Sequence, residues 1–297
     1  MQVVTIATNL DHPFLNQLLI PSCNAAGLTL TVLYPDVRRF TFKHKRAIIS
    51  RYLSRCDAPD ELIMFTDGYD TMILRDAQSI TGVYASFGKP VVFSAEPNSW
   101  PMGTIGLALH PGPPALPYPY LNSGGFIGRA GDVLGLLTKY PDPPSAEFSL
   151  LRHLREHGYD ADLRFGHSDQ YYWTLVRLIE PERIALDHTA ALFENLTAPV
   201  GDVADVGVKA AIRDFRDRGR EAASYQKERE RLLTRLQSPS PAAQLHFAGA
   251  LTKRVLLDLW RDGEIPEWLR ALGGGEPSTG CSGARVQEVV VERDARC

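Results

Sequence analysis

Two aspartates three positions apart, in Asp67-Gly68-Tyr69-Asp70, follow directly on the apolar run Leu62-Ile63-Met64-Phe65. A short apolar run ending in acids reads as a buried parallel strand that delivers carboxylates to the carboxyl edge of a sheet, where open α/β folds bind their ligands. Two hard oxygen ligands there suit Mg²⁺ or Mn²⁺, and an ion held that way binds a diphosphate. The same pair also suits an ordinary acidic surface turn. His246, in Gln244-Leu245-His246-Phe247-Ala248-Gly249, follows another strand-like entry and is a third ligand candidate. Imidazole tilts the set towards Mn²⁺, although a histidine near a strand also serves as ordinary structure.

Further polar groups stand where such a site needs them. Lys45-Arg46 opens a helix-like stretch and Lys253-Arg254 follows Gly249, so cations are available to clamp a phosphate. Asn122-Ser123-Gly124-Gly125 holds two glycines that permit positive φ and close approach of backbone to a ligand; taken alone it predicts a tight turn. Trp100 offers a face for a sugar or base and serves equally as packing. Asp169-Gln170 opens another helix, where the acid either faces an acceptor or caps the helix. His44, His110, His153, His157, His167 and His188 read as structural.

The elements that must position these groups are legible in outline. Strand-like runs at 3–7, 28–33, 62–65, 91–94, 126–127 and 184–186 alternate with helix-like stretches at 15–26, 43–55, 77–87 and 133–140. That alternation predicts an α/β class, with βαβ units around a mostly parallel sheet. Prolines between 111 and 119 predict a rigid loop before Leu121. A helix is expected over 167–179, with Ser168 or Asp169 as N-cap and Tyr172, Leu175, Val176 and Ile179 on one face. Residues 209–237 form a charged helical excursion, either a partner or nucleic-acid face or, since its acids and bases interleave, a solvated helix. The glycine-rich stretch from Gly273 makes 273–297 a flexible or appended tail, leaving 1–272 as one domain.

A chain of 297 residues can bury a sizeable core. Its 32 basic and 35 acidic side chains give a formal charge of -3, so no global field points to nucleic acid or an anionic membrane. Any anion must be held locally. No basic leader followed by an apolar stretch opens the sequence, and no segment approaches the roughly twenty apolar residues of a membrane span. Cys23, Cys56, Cys281 and Cys297 are scattered without a C-x-x-C pair, which indicates neither a zinc site nor a disulfide framework and predicts a reducing, cytoplasmic location. No G-x-G-x-x-G, G-x-x-x-x-G-K-[ST] or G-x-S-x-G occurs, which sets aside dinucleotide dehydrogenases, P-loop NTPases and the common serine hydrolases.

In order along the chain, Phe65-Thr66-Asp67-Gly68-Tyr69-Asp70, Val92-Phe93-Ser94-Ala95-Glu96, Trp100-Pro101, Tyr120-Leu121-Asn122-Ser123-Gly124-Gly125-Phe126-Ile127-Gly128, Ser168-Asp169-Gln170, Leu186-Asp187-His188 and His246-Phe247-Ala248-Gly249 resemble the glycosyltransferase domain of the procollagen lysyl hydroxylase family. The resemblance implies a GT-A type fold with a mixed, mostly parallel sheet flanked by helices. It also implies a UDP-sugar donor, with UDP-glucose or UDP-galactose foremost, and a Mn²⁺ ion (or Mg²⁺) held by Asp67, Asp70 and His246. Tyr69 then corresponds to the aromatic that stacks on uracil, and Thr5, Ala7 and Thr8 to the first-strand lining of the base pocket. Trp100 corresponds to a tryptophan near the sugar, and Asp169-Gln170 to a stretch between donor sugar and acceptor. Asn122, Ser123, Gly124, Gly249, Lys45 and Lys253 complete the expected donor site. Nothing of an iron- and oxoglutarate-dependent hydroxylase follows, so the expectation is the transferase module by itself, acting on a hydroxyl acceptor (a glycan, hydroxylated peptide or small molecule). Asp169 is the first candidate for the base and Glu96 the second. A non-catalytic nucleotide-sugar-binding module and a metal-dependent UDP-sugar hydrolase are the other readings.

Overall fold

The computed structural model describes residues 1–35, 40–109, 116–199, 204–273 and 286–291, without the side chains of 204–209, 211 and 286–291. His110, the prolines at 111–114, Cys281 and Cys297 lie outside the described residues. Ten strands are described: β1 (Gln2–Ile6), β2 (Leu30–Pro35), β3 (Leu62–Thr66), β4 (Thr71–Ile73), β5 (Val91–Glu96), β6 (Tyr120–Arg129), β7 (Ile184–Leu186), β8 (Phe193–Asn195), β9 (Gln244–His246) and β10 (Val286–Val291). Seven form one sheet in the order β10-β2-β1-β3-β6-β5-β7, and β4-β9-β8 form a second. In the large sheet β6 alone runs against both neighbours, and the other pairings are parallel. The expected mixed, mostly parallel α/β sheet is therefore what forms.

Side chains alternate across each strand, and both faces are covered. Val4, Ile6, Ile63, Phe65, Phe93 and Phe126 pack against the helices Phe42–Leu53, Ala130–Lys139 and Asp169–Ile179. Their neighbours Val3, Met64, Val92 and Ile127 face the other way, onto Leu15, Leu19, Cys23 and Ile80. Each such side chain, fully buried, contributes about 1.5–3 kcal/mol. A third cluster joins Phe14 and Leu18 to Met72 and Leu245 of the small sheet, to Phe247 just after it and to Leu232, Leu236, Val255 and Leu259. One face of the helix Ala223–Leu236 is thus packed, and the stretch expected to be a charged excursion carries part of the core.

Two local readings differ from expectation. The stretch read as one helix at 15–26 begins as a π-helical turn, Leu15–Leu19, before the helix Ile20–Ala25, and Ile20 donates its N–H to Leu15 O. Pro21 explains the change, since it has no N–H for the regular ladder and its ring crowds the preceding turn. Asn122-Ser123-Gly124-Gly125 is not a turn but the middle of β6, where the pairing with β5 shifts register between Phe93 and Ser94. Within the stretch expected to be a tail, β10 lies parallel to β2 at the sheet edge. No described helix is long and apolar enough to cross a membrane.

Candidate active site

The acid motif sits where the chain leaves one sheet for the other. β3 ends at Thr66, and Asp67–Asp70 turn the chain into β4 of the small sheet. Thr71 Oγ1 donates to Asp67 O at 2.5 Å and accepts from Thr66 Oγ1 at 2.7 Å, which closes the turn. Asp67 N donates to Gly124 O at 2.9 Å, fixing it against β6. A Cβ on Gly68 would stand 3.0 Å from Thr5 Oγ1 and 3.1 Å from Ile6 O, so the turn packs tightly on β1. β9 then pairs antiparallel with β4, placing His246 opposite Thr71. A residue far along the chain is thereby set beside the acids.

Asp67, Asp70 and His246 each offer one ligand atom, and these atoms lie within 4.8 Å of one another. Ligands at about 2.1 Å from a common ion span nearly that distance, so the set fits a divalent cation with little adjustment. His246 Nε2 is 3.3 Å from Asp70 Oδ2 and 3.9 Å from Asp67 Oδ2, while its Nδ1 is buried without a hydrogen-bond partner. Lys253 Nζ is 2.8 Å from Asp70 Oδ2. Burial alone would raise the Asp70 carboxyl, but His246 and Lys253 outweigh it and hold Asp70 ionised well below the usual carboxylate range. Two carboxylates and an imidazole form a donor set that accepts Mn²⁺ more readily than Mg²⁺.

Lys45 links this centre to Asp169. Its ammonium lies 2.9 Å from Asp67 Oδ1 and 2.8 Å from Asp169 Oδ2, and it donates to Ser123 O at 3.0 Å. Burial would discharge it, yet the two aspartates hold its pKa above the usual lysine value. The side chain is 5% exposed, so Lys45 is a fixed bridge between carboxylates and Lys253, at 39%, is the cation with room to reach a ligand. Glu96 is buried at the end of β5, where Gln170 Nε2 donates to its Oε1 at 2.6 Å and Asn122 Nδ2 at 3.1 Å. Burial pushes its pKa up to about 7 against these hydrogen bonds.

These groups converge on a cavity of about 400 Å³. Of the residues read from the sequence, Asp67, Asp70, Glu96, Trp100, Asn122 and Ser123 line it. So do Gly124, Asp169, Gln170, His246, Gly249 and Lys253. Ser168 caps its helix, accepting from Tyr171 N at 3.4 Å, which leaves Asp169 in the first turn facing the cavity. Tyr69 and Lys45 instead line an adjoining cavity of about 170 Å³ with Ile6, Phe40 and Phe65. Thr8 N and Asn9 N both donate to Tyr69 Oη at 2.7 Å, and the His12 ring lies 4.2 Å from the Tyr69 ring. Thr5 and Ala7 line neither cavity: Thr5 Oγ1 donates to Thr66 O at 2.7 Å and Ala7 is packed in the core. Asp187, in the resembling motif after β7, is structural and accepts the backbone N–H groups of Ala191, Leu192 and Phe193.

Phe42, Asn98 and Thr197 line the larger cavity without having been read from the sequence. Phe42 carried the one available signal, an aromatic at the first position of a helix, and is 52% exposed.

Comparison with known proteins bears on the first half of the chain. Residues 1–145 match the profile of the PLOD GT domain. Over those residues, just under half of its length, the chain is similar to the glycosyltransferase domain of the procollagen lysyl hydroxylases. The procollagen-lysine,2-oxoglutarate 5-dioxygenase of Drosophila melanogaster is 30% identical over 157 residues, 49% of this chain and 18% of that protein. The multifunctional procollagen lysine hydroxylase and glycosyltransferase LH3 of Rattus norvegicus is 28% identical over 148 residues, 48% of this chain and 17% of that protein. The chain thus matches less than a fifth of these relatives' length. Among solved structures, apo mouse xyloside xylosyltransferase 1 aligns with a TM-score of 0.46 at 12% identity, over 82% of this chain and 96% of that one. That likeness is too loose to carry weight. The matched residues include Lys45, Asp67, Asp70 and Glu96, while Asp169, His246 and Lys253 lie beyond them and reach the site through the fold.

Proposed function

We propose that the protein is a Mn²⁺-dependent glycosyltransferase that moves a hexose from a UDP-sugar, UDP-glucose or UDP-galactose, to a hydroxyl acceptor. The observation that carries this reading is the meeting of Asp67, Asp70 and His246 beside Lys253, at the wall of a cavity large enough for a sugar and a diphosphate. When bound by these three residues, Mn²⁺ supplies Lewis-acid charge to a departing diphosphate.

The chain's own residues supply the rest. Lys253 offers a second cation to the same phosphates, and the helix Ala250–Arg261 begins at the cavity wall, where its positive end favours an anion. Tyr69, braced by Thr8 and Asn9, presents a ring beside the small cavity, where a uracil would stack. Trp100, 39% exposed at the larger cavity, borders the sugar. Glu96 takes the acceptor's proton more readily than Asp169, because Asp169 is engaged by Lys45 whereas burial tunes Glu96 to neutral pH.

The test is to incubate the pure protein with a panel of UDP-sugars, with and without Mn²⁺, and follow UDP release and thermal stabilisation together. Metal-dependent release with one preferred sugar is expected. Stabilisation without release would turn the reading towards a binding module, and loss of both signals would end it.

A further inference from the structure

We infer that the groove beside the helix Ala223–Leu236 is an acceptor site for a neutral oligosaccharide chain, an inference that rests on the transferase reading above. Thr197 lines both the 400 Å³ site cavity and a larger groove of about 840 Å³. Asn98 lines the first and its neighbour Pro97 the second, so the two spaces share a wall. That wall is pinned from both sides. Thr197 N and Oγ1 donate to Asn195 Oδ1 at 2.9 and 2.6 Å, and Asn98 Nδ2 donates to Ala198 O at 2.9 Å. From the groove side, Arg231 donates to Leu196 O and Arg235 to Glu194. The charged helix is therefore fastened to the wall of the active site.

The groove's chemistry selects the ligand. Arg231 is occupied by Glu228 and Leu196 O, and Arg235 by Glu194. The exposed charged side chains that the helix turns to the groove are one base and one acid, Lys227 and Glu230, with the Thr234 hydroxyl near them on the same face. Such a balance favours neither a polyanion nor a polycation. Tyr118 adds a half-buried phenol ring, with its backbone carbonyl 2.7 Å from His188 Nδ1. An apolar ring face beside exposed hydroxyl and carboxylate groups matches a sugar, which presents C–H on its faces and hydroxyls on its rim. At Leu196 an extended peptide finds no free backbone partner, since Leu196 O accepts from Arg231 and Leu196 N donates to His246 O. The volume is that of a site for a ligand of several rings.

The experiment uses the full chain with Mn²⁺ and UDP, and measures binding of maltohexaose, cellohexaose, xylohexaose and mannohexaose, with a serine-glycine repeat peptide for contrast. Saturation-transfer NMR should detect at least one hexasaccharide. Thr234→Trp, which fills the groove, and Tyr118→Ala should each weaken it about tenfold, leaving UDP affinity and UDP release to water unchanged. Glu230→Ala, at an exposed position, serves as a second groove variant should Tyr118→Ala fold poorly. Failure of every saccharide to bind, binding unaltered in the variants, or binding of the peptide alone would overturn the inference. Absence of Mn²⁺-dependent UDP binding in the unaltered protein is a separate result and would overturn the transferase reading along with it.

Discussion

Gly124 stands so close to His246 that a Cβ built on the glycine would lie 2.2 Å from Cε1 and 2.8 Å from Nδ1 of the imidazole, and 2.9 Å from Asp67 Oδ2. The glycine makes room for two ligands at once. Gly124→Ala should therefore abolish measurable Mn²⁺ binding while costing about 1–3 kcal/mol of stability from overpacking. Gly82→Ala is the matched control: Gly82 is exposed in the helix Ala77–Ser86 with nothing within 4 Å of the added carbon. It should stabilise the fold by about 0.5–1 kcal/mol. Calorimetric metal titration and denaturant unfolding of both variants would decide; normal Mn²⁺ affinity in Gly124→Ala would remove the crowding account.

Asp70→Ala should eliminate metal-dependent UDP binding and turnover while leaving a folded protein. Asp70 is the carboxylate shared by His246 and Lys253, so both partners lose their counter-charge in the variant. Circular dichroism checks the fold and UDP calorimetry the site. Near-normal turnover by folded Asp70→Ala would discard the metal centre.

Replacing Tyr69 tests the base pocket. Tyr69→Ala should weaken UDP binding by about 1–3 kcal/mol, the magnitude of a lost aromatic–base stack. Tyr69→Phe keeps the ring but leaves the N–H groups of Thr8 and Asn9 without their acceptor, and should fall between the two. Equal affinities for all three proteins would make the ring mere packing.

Glu96 gives the protein a pH signature. Its folded pKa of about 7 lies above the usual glutamate value, so the folded state resists ionisation more than the unfolded chain does. No penalty exists below about pH 4.5, where the residue is protonated in both states, and the penalty is complete above about pH 7. Stability should consequently fall as pH rises through that window, by up to ~3 kcal/mol. Glu96→Gln should flatten this slope and also the rise of turnover with pH near 7. An unchanged slope in the variant would mean that the carboxyl is not the titrating group.

Lys45→Met tests the buried bridge. With the ammonium gone, Asp67 and Asp169 lose their shared counter-charge, which should cost about 3–5 kcal/mol. Urea unfolding reads this directly, and a loss within experimental error would make the bridge energetically neutral.

The carboxylate pair was legible because an apolar run ending in acids has a physical meaning at a sheet edge. The Ser168 cap was legible for a similar reason, a short polar side chain before an amphipathic helix. The small sheet was not: β4 (Thr71–Ile73) and β8 (Phe193–Asn195) mix polar residues into three positions and lack the apolar run that marked the equally short β7, and of β9 only an entry at His246 was legible. Gly124 and Gly125 were misread as a turn because sequence cannot separate a glycine needed for its backbone angles from one needed for its missing side chain. Neither has a left-handed φ, and a Cβ on Gly125 would meet Gln244 Oε1 at 2.7 Å. His12 and Asn98 reach the site through tertiary packing, which leaves no trace in residue spacing.

The pairing of β4 with β9 makes metal affinity a report on how the whole chain closes. A fragment ending at residue 145 would keep both aspartates of the matched stretch, yet it would lack His246 and Lys253 and leave β4 without the described strand that pairs with it. The matched half is accordingly half of a clasp whose other jaw is Gln244–His246. Because an ion gripped by both jaws binds only the closed fold, Mn²⁺ should stabilise the far half of the molecule as strongly as the half that carries the acids.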